Sequence, residues 1–302
     1  MFLPRSLPWL IAVGALWAQR SLRASARERR FRARFPAGPD GIVLGAEPRT
    51  YRADSDRALL LFHGYNDSPQ SLDRVARGLH AAGWTVRLPL LPGHGRSLRA
   101  FDDWSEEEVL ALAREEYTAL RARYRTVVVG GLSMGGAVAC SLAAESDASG
   151  VVLYAPMLFV PRTMEVVVYT ARLWNVLTRY VSGGNKRSIR DREAAAEVIA
   201  YGCSSRRSVE ALERLCRHTV GRLGFVHAPV IVIQSEEDNR LPLDQSRRAI
   251  ARIGTKDKTV LFTRGAGHVV TVDHGWQDLL AQTAHWLEAR FPQSVGAVRS
   301  AG

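Results

Sequence analysis

The chain has 302 residues, 46% hydrophobic and 24% charged, which suits a globular protein large enough to bury a substantial core. Its three cysteines, Cys140, Cys203 and Cys216, are too few and too scattered for a disulfide framework and lack the spacing of a zinc or redox pair, so they read as free thiols and no metal is expected. The net charge of +11 imitates a nucleic-acid signal, but residues 1–34 hold eight arginines against one acidic residue; with the excess confined to an arm and no nucleic-acid-binding motif present, no nucleic-acid partner is expected.

That arm opens apolar, from Leu7 through Trp9 and Trp17 to Ala18, and turns basic from Arg20 to Arg34. Twelve apolar residues fall short of a membrane span, and counting back to Phe2 reaches only the lower limit while including Arg5 and two prolines. A secretory signal carries its charge before the apolar run and a cleavage site directly after it, which is the reverse of this order. Trp9 and Trp17 suit a membrane interface, and the arginines suit anionic headgroups on the cytoplasmic side. Membrane association through residues 1–34 is expected, as a marginal anchor or an interfacial helix, with the remainder cytoplasmic at the inner face.

A linker around Pro36-Ala37-Gly38-Pro39-Asp40-Gly41 leads into alternating strand and helix signals. Ala58 to Phe62 reads as a buried strand, Ser68-Pro69 as the start of a helix over 70–82 ended by Gly83, and Trp84 to Leu88 as the next strand. Ser105-Glu106-Glu107-Glu108 is a capping box opening a helix to about Tyr124. Val127-Val128-Val129 then breaks into Gly130-Gly131-Leu132-Ser133-Met134-Gly135-Gly136, a strand, a tight turn and a helix built from small residues. This is the pattern of a nucleophile elbow, in which Gly131 and Gly135 permit close backbone approach and Ser133 is presented above the strand end.

Later strands are expected at Val151 to Tyr154, Val230 to Gln234 and Thr259 to Phe262, with a closing helix from about Trp276 to Arg290. The alternation predicts an α/β fold with a mostly parallel central sheet covered by helices on both faces. Between Met157 and Ala228 about seventy residues stand where one helix would do. They carry helical pattern at Glu165 to Tyr180 and Arg192 to Arg217, broken by Ser182-Gly183-Gly184-Asn185, and read as a helical cap over the C-terminal edge of the sheet. The expected organisation is an arm and linker at 1–40, a core at 41–156 and 229–302, and a cap insertion at 157–228.

A serine hydroxyl needs a general base, and an imidazole oriented by a carboxylate supplies one, in the chain order Ser, acid, His for this architecture. Of the downstream histidines, His268 sits in the flexible loop Gly265-Ala266-Gly267-His268 just past the last strand, while His274 and His285 read as structural. The loop after Val230 to Gln234 offers Glu236, Glu237 and Asp238; Asp238 is best placed, and the other two remain alternatives. Two backbone N–H groups must meet the developing oxyanion. Met134, directly after the nucleophile, supplies one, and Tyr65 in His63-Gly64-Tyr65-Asn66-Asp67 the other, with His63 itself structural.

With these residues in place, the chain resembles the α/β-hydrolases, and more narrowly the bacterial carboxylesterases and monoacylglycerol lipases. The likeness runs from about Leu59 to Phe291 outside the insertion. It rests on His63-Gly64-Tyr65 with Ser68-Pro69-Gln70-Ser71, Pro92-Gly93-His94-Gly95, Asp103-Trp104, the elbow, Gln234-Ser235 with Asp238 and Pro242, and Gly267-His268 with Asp273. The resemblance implies a triad of Ser133, Asp238 and His268, oxyanion donors at Tyr65 and Met134, and catalysis without metal or cofactor. Asn66-Asp67 departs from the small residue usual in the family, and the arm and the details of the insertion have no counterpart. The expected activity is hydrolysis of a small-molecule carboxylic ester with a lipid-like or medium-length acyl chain, monoacylglycerol among them. An aminopeptidase using Glu165, Glu193 or Glu197, a thioesterase, or a non-catalytic binding protein of the same fold are the alternatives.

Overall fold

A computed structural model describes residues 7–182 and 188–293, with backbone alone for 7–12; Phe2, Arg5, the Trp9 side chain and Gly183-Gly184-Asn185 lie outside the described residues. In chain order the elements are α1 (Leu7–Arg34), β1 (Arg49–Tyr51), β2 (Arg57–Phe62), α2 (Asp73–Ala81), β3 (Thr85–Leu88), α3 (Leu98–Asp103), α4 (Glu106–Arg121), β4 (Thr126–Leu132), α5 (Met134–Ala143) and β5 (Gly150–Tyr154). There follow α6 (Arg162–Leu177), β6 (Tyr180–Ser182), α7 (Arg192–Glu197), β7 (Cys203–Ser205), α8 (Arg206–Val220), β8 (Val230–Ser235), α9 (Leu243–Ala251), β9 (Lys258–Thr263) and α10 (Trp276–Arg290).

Seven strands form one sheet in the order β1-β3-β2-β4-β5-β8-β9, parallel throughout except for the antiparallel edge strand β1. The apolar runs explain it: a strand covered on both faces must be apolar at successive positions, and β2, β5 and β8 are buried along their whole lengths. Alternate residues feed opposite cores. Leu60, Val129 and Val232 face Val109, Val138 and Leu212, while Leu59, Val128 and Ile231 face Val75, Leu79 and Leu287.

Local signals place most helix starts. At α4 the capping box forms in full, Ser105 Oγ accepting from the Glu108 N–H (3.2 Å) and Glu108 Oε2 from the Ser105 N–H (3.1 Å). At Ser68 the expected cap does not form: the hydroxyl is buried without a partner, and a 3-10 turn over Pro69–Leu72 precedes α2.

Two stretches differ from the sequence pattern. The expected helix over 192–217 is interrupted, because the chain extends after α7, turns at Gly202 (φ +63°), pairs β7 with β6, and restarts at Ser205, whose hydroxyl accepts from the Ser208 N–H (3.1 Å). Within the arm Leu7–Arg34 is one continuous helix, and its second half is docked. Arg20 donates to the Asn175 carbonyl (2.7 Å) and side chain (3.0 Å), Glu28 accepts the Leu98 N–H (2.9 Å), and buried Phe31 stacks on Tyr201 with centroids 4.8 Å apart. No helix among the described residues is long and apolar enough to cross a membrane.

Candidate active site

The elbow between β4 and α5 is too crowded for side chains on either side of the serine. A Cβ on Gly131 would lie 2.5 Å from the Phe62 carbonyl oxygen, and one on Gly135 would lie 1.9 Å from the same atom. Both positions therefore require glycine, although neither has a positive φ. Ser133 between them does, at φ 54° and ψ −112°, a backbone state that costs roughly 1–3 kcal/mol in a residue with a side chain and persists only when its surroundings impose it. Those surroundings include the end of β5: the Ser133 N–H donates to the Tyr154 carbonyl (2.9 Å), and its carbonyl accepts the Met157 N–H (3.0 Å).

His268, in the loop after β9, lies with Nε2 at 2.8 Å from Ser133 Oγ and Nδ1 at 2.7 Å from Asp238 Oδ2. Since a carboxylate can only accept, Nδ1 carries the proton and Nε2 is left to accept the serine O–H. Asp238 is almost wholly buried and its acceptors are filled. Oδ2 also takes Gln234 Nε2 (2.9 Å), and Oδ1 takes the Arg240 (2.7 Å) and Leu241 (3.0 Å) N–H groups. Burial alone would push its carboxyl up, but the facing His268 and the two backbone donors outweigh it and hold the pKa below the usual value. The other two carboxylates of this loop are engaged elsewhere, Glu236 with Arg264 (2.6 Å) and Glu237 with Arg190 and the Gly265 N–H.

On the other side of Ser133 runs the loop after β2. A Cβ on Gly64 would stand 3.6 Å from Ser133 Cβ, so the residue preceding Tyr65 lies directly beside Ser133. His63 fixes this loop: it accepts the Leu91 N–H at Nε2 (3.1 Å) and donates from Nδ1 to the Gly64 carbonyl (2.9 Å). Burial, reinforced by His94, drives its pKa well below the usual value despite that carbonyl, so it is a neutral strut as its sequence context implied. Asn66 supplies the turn at φ 61°. The Tyr65 hydroxyl reaches out of the loop to Ser208 Oγ in α8 at 2.8 Å. Met134 opens α5, so its N–H has no acceptor within the helix and lies at the positive end of the helix dipole.

Three contributions lay beyond sequence reasoning. Asp273, quoted only as part of the family likeness, accepts four backbone N–H groups: Gly267 (2.7 Å), His274 (2.8 Å), Arg190 (2.9 Å) and Asp191 (2.9 Å). It thereby ties the histidine loop to the cap. The same cap segment binds Arg240, whose Nε donates to Ser188 Oγ (2.7 Å). Asp67 is buried beside Gly64, accepting the Ser71 hydroxyl at Oδ2 (2.5 Å) while Oδ1 has no hydrogen-bond partner. Burial pushes its pKa up to about 6, against the pull of Ser71, the Ser68 and Gly64 amides and His268. The only advance sign was that Asn66-Asp67 departed from a small residue.

The cap carboxylates considered for an ammonium group are on the outside: Glu165 approaches Arg217 (3.8 Å), Glu197 pairs with Arg74 (3.1 Å) and Glu193 is exposed. Among the described residues no cluster of three metal-ligating side chains occurs. The three cysteines are free and buried, and burial pushes their thiols up to between about 11 and 12.

A mostly parallel seven-stranded sheet with a strained serine at the β4–α5 turn defines the α/β-hydrolase fold. Within it the chain belongs to the family described as serine aminopeptidase, S33, whose profile matches residues 53–275. It is 27% identical over 234 residues to the thermostable monoacylglycerol lipase of Bacillus sp. (strain H-257), covering 77% of this chain and 90% of that protein. It is 22% identical over 245 residues to a carboxylesterase of Bacillus subtilis (strain 168), covering 80% and 96%. Among solved structures, one described under the metagenome-derived lipolytic enzymes LipS and LipT shares the fold at a TM-score of 0.73 and 24% identity, covering 81% of this chain and 98% of the other.

Proposed function

We propose that the protein hydrolyses carboxylic esters through an acyl-enzyme on Ser133. The observation that carries this reading is the unbroken hydrogen-bonded series Ser133–His268–Asp238 at 2.8 and 2.7 Å on an elbow strained to expose the hydroxyl. As Ser133 Oγ bonds to the ester carbonyl carbon, its proton passes to His268 Nε2, and the negative Asp238 beside Nδ1 stabilises the imidazolium. The carbonyl electrons move onto oxygen, where the Met134 and Tyr65 amides meet them, each such donor contributing about a hundred- to a thousandfold in rate. Collapse expels the alcohol, which takes the proton from Nε2. Water then repeats the sequence, with His268 as base, and releases the acid and free Ser133.

The lipid-like substrate is supported by relatives named as monoacylglycerol lipases and by the apolar side chains that α6 of the cap exposes, including Val166, Tyr169 and Leu173. We further take residues 1–34 to associate with a membrane, with the hydrolase on the cytoplasmic face; exposed Val13 and Trp17 next to an arginine-rich stretch support this. Ser133→Ala should reduce p-nitrophenyl butyrate turnover to background with an unchanged melting curve. Retained turnover in that variant would refute the nucleophile, and a panel of esters, thioesters and aminoacyl amides tests the ester preference.

A further inference from the structure

A groove of about 570 Å³ runs between α1 and the cap. Arg23, Arg27, Arg30 and Arg34 recur at i, i+4, i+7 and i+11 and so share one helix face, forming one wall, while Phe31 and Tyr201 contribute aromatic surface. Arg27 is held by Ser182 Oγ (3.2 Å) and the Gly202 carbonyl (3.4 Å), and Arg34 lies over the Phe35 ring. Among the described residues Arg23 and Arg30 make no hydrogen bond or ion pair, and no carboxylate lines the groove.

Several arginines elsewhere are matched to acids, as in Arg87–Glu116, Arg114–Glu145, Arg179–Asp102 and Arg214–Glu106. On this face like charges one turn apart repel, and the neighbouring carboxylate, Glu28, is engaged by Arg32 and the Leu98 N–H. The arrangement therefore favours an incoming anion.

We infer that the groove holds the phosphate of an anionic phospholipid, with guanidinium groups of the α1 stripe on its oxygens and the aromatic wall against its glycerol and first acyl carbons. Guanidinium forks pair with carboxylate and phosphate oxygens alike, but a phosphate has oxygens enough to engage more than one guanidinium of the stripe at once. The surrounding surface selects a lipid. Six residues before Arg23 on the same helix, about 9 Å along its axis, stands exposed Trp17, and neighbouring α6 exposes Tyr169 and Leu173. An apolar margin one headgroup away from a row of cations fits a bilayer surface rather than a dissolved phosphate.

The inference rests on the reading of residues 1–34 as membrane-associating. It adds a defined site and a purpose: because Arg20, Arg27 and Phe31 fix α1 to the cap, a lipid held there would orient the cap toward the surface that supplies the substrate.

The test is flotation of the full chain with phosphatidylglycerol/phosphatidylcholine vesicles and with phosphatidylcholine alone. Two charge-matched variants are compared, Arg23→Gln/Arg30→Gln in the groove and Arg29→Gln/Arg32→Gln on the opposite face of α1. The groove variant should lose about tenfold more binding to the anionic vesicles than its control. Both should hydrolyse p-nitrophenyl butyrate like the parent, which keeps the result separate from the role of Ser133. Equal losses in the two variants would mean a general positive field and would overturn the site. A parent chain that floats with neither vesicle overturns the membrane reading and the lipid together. Thermal stabilisation by dissolved glycerol phosphate equal to that by the vesicles would overturn the lipid in favour of a soluble phosphate.

Discussion

Asp67 and Asp273 are both buried carboxylates within reach of the catalytic loops, and their surroundings send their pKa values in opposite directions. Asp273 is held below its usual value because four backbone N–H groups outweigh burial, whereas Asp67 has too few donors and is pushed up to about 6. A carboxyl whose folded pKa lies above its unfolded value binds more protons in the fold, so Asp67 weakens the protein as pH rises from about 4 to 6. Asp67→Asn, which keeps an acceptor for Ser71, should raise the melting temperature at pH 8 and leave it nearly unchanged at pH 4. The gain at pH 8 corresponds to about 3 kcal/mol. Equal shifts at both pH values in thermal denaturation would show that the charge is not the cause. That Ser133, Asp238 and His268 would be brought together beside a crowded Gly131 was legible in the sequence, because the elbow and its neighbours follow from local pattern and chain order. Asp67 was visible only as an oddity, since nothing local says that its carboxyl is buried with one oxygen unmatched.

At the scale of elements, the proposed triad is assembled where three strand ends meet, with Ser133 following β4, Asp238 following β8 and His268 following β9. The segment inserted between β5 and β8 contacts the surrounding loops. Asp273 joins it to the histidine loop, Arg240 to the acid loop through Ser188, and Ser208 to Tyr65. Asp273→Asn would set an amide NH₂ against backbone donors, costing on the order of 3 kcal/mol and loosening His268. The expected result is a kcat for p-nitrophenyl butyrate at least tenfold lower together with a lower melting temperature; an unchanged kcat in a destabilised protein would confine the residue to folding. The parent also depends on this carboxylate being ionised. Its contribution to stability is complete above the unfolded pKa and is lost as pH falls through the depressed folded one, as for Asp238. The strands were legible because runs such as Leu59-Leu60-Leu61-Phe62 have no other use than burial on both faces. The helical pattern over 192–217 misled because amphipathic spacing continues across Val198 to Ser205, while β6 pairing and the left-handed Gly202 decide otherwise.

Across the whole molecule the N-terminal helix changes most in meaning. As sequence it is an apolar and basic arm; in the fold its second half packs on α3, α6 and the β6–β7 hairpin. Removing residues 1–18 should leave the melting temperature within about 2 °C of the parent, whereas removing 1–35 should lower it by roughly 5 °C, since it uncovers Tyr201 and strips the contacts of Arg20, Glu28 and Phe31. Equal melting temperatures would show that the docking contributes no stability. The sequence by itself determined the sheet, the elbow and which serine, carboxylate and histidine the fold brings into one hydrogen-bonded series, because period, glycine crowding and chain order are properties of neighbouring residues. Only the tertiary structure decided where the cap breaks, how Asp273 and Ser208 lock it to the catalytic loops, and that four arginines of the first helix line a groove with no acid opposite. The locks and the docking of the first helix consist of contacts between residues some 80 to 175 positions apart, each worth little locally, and no stretch of chain carries them alone.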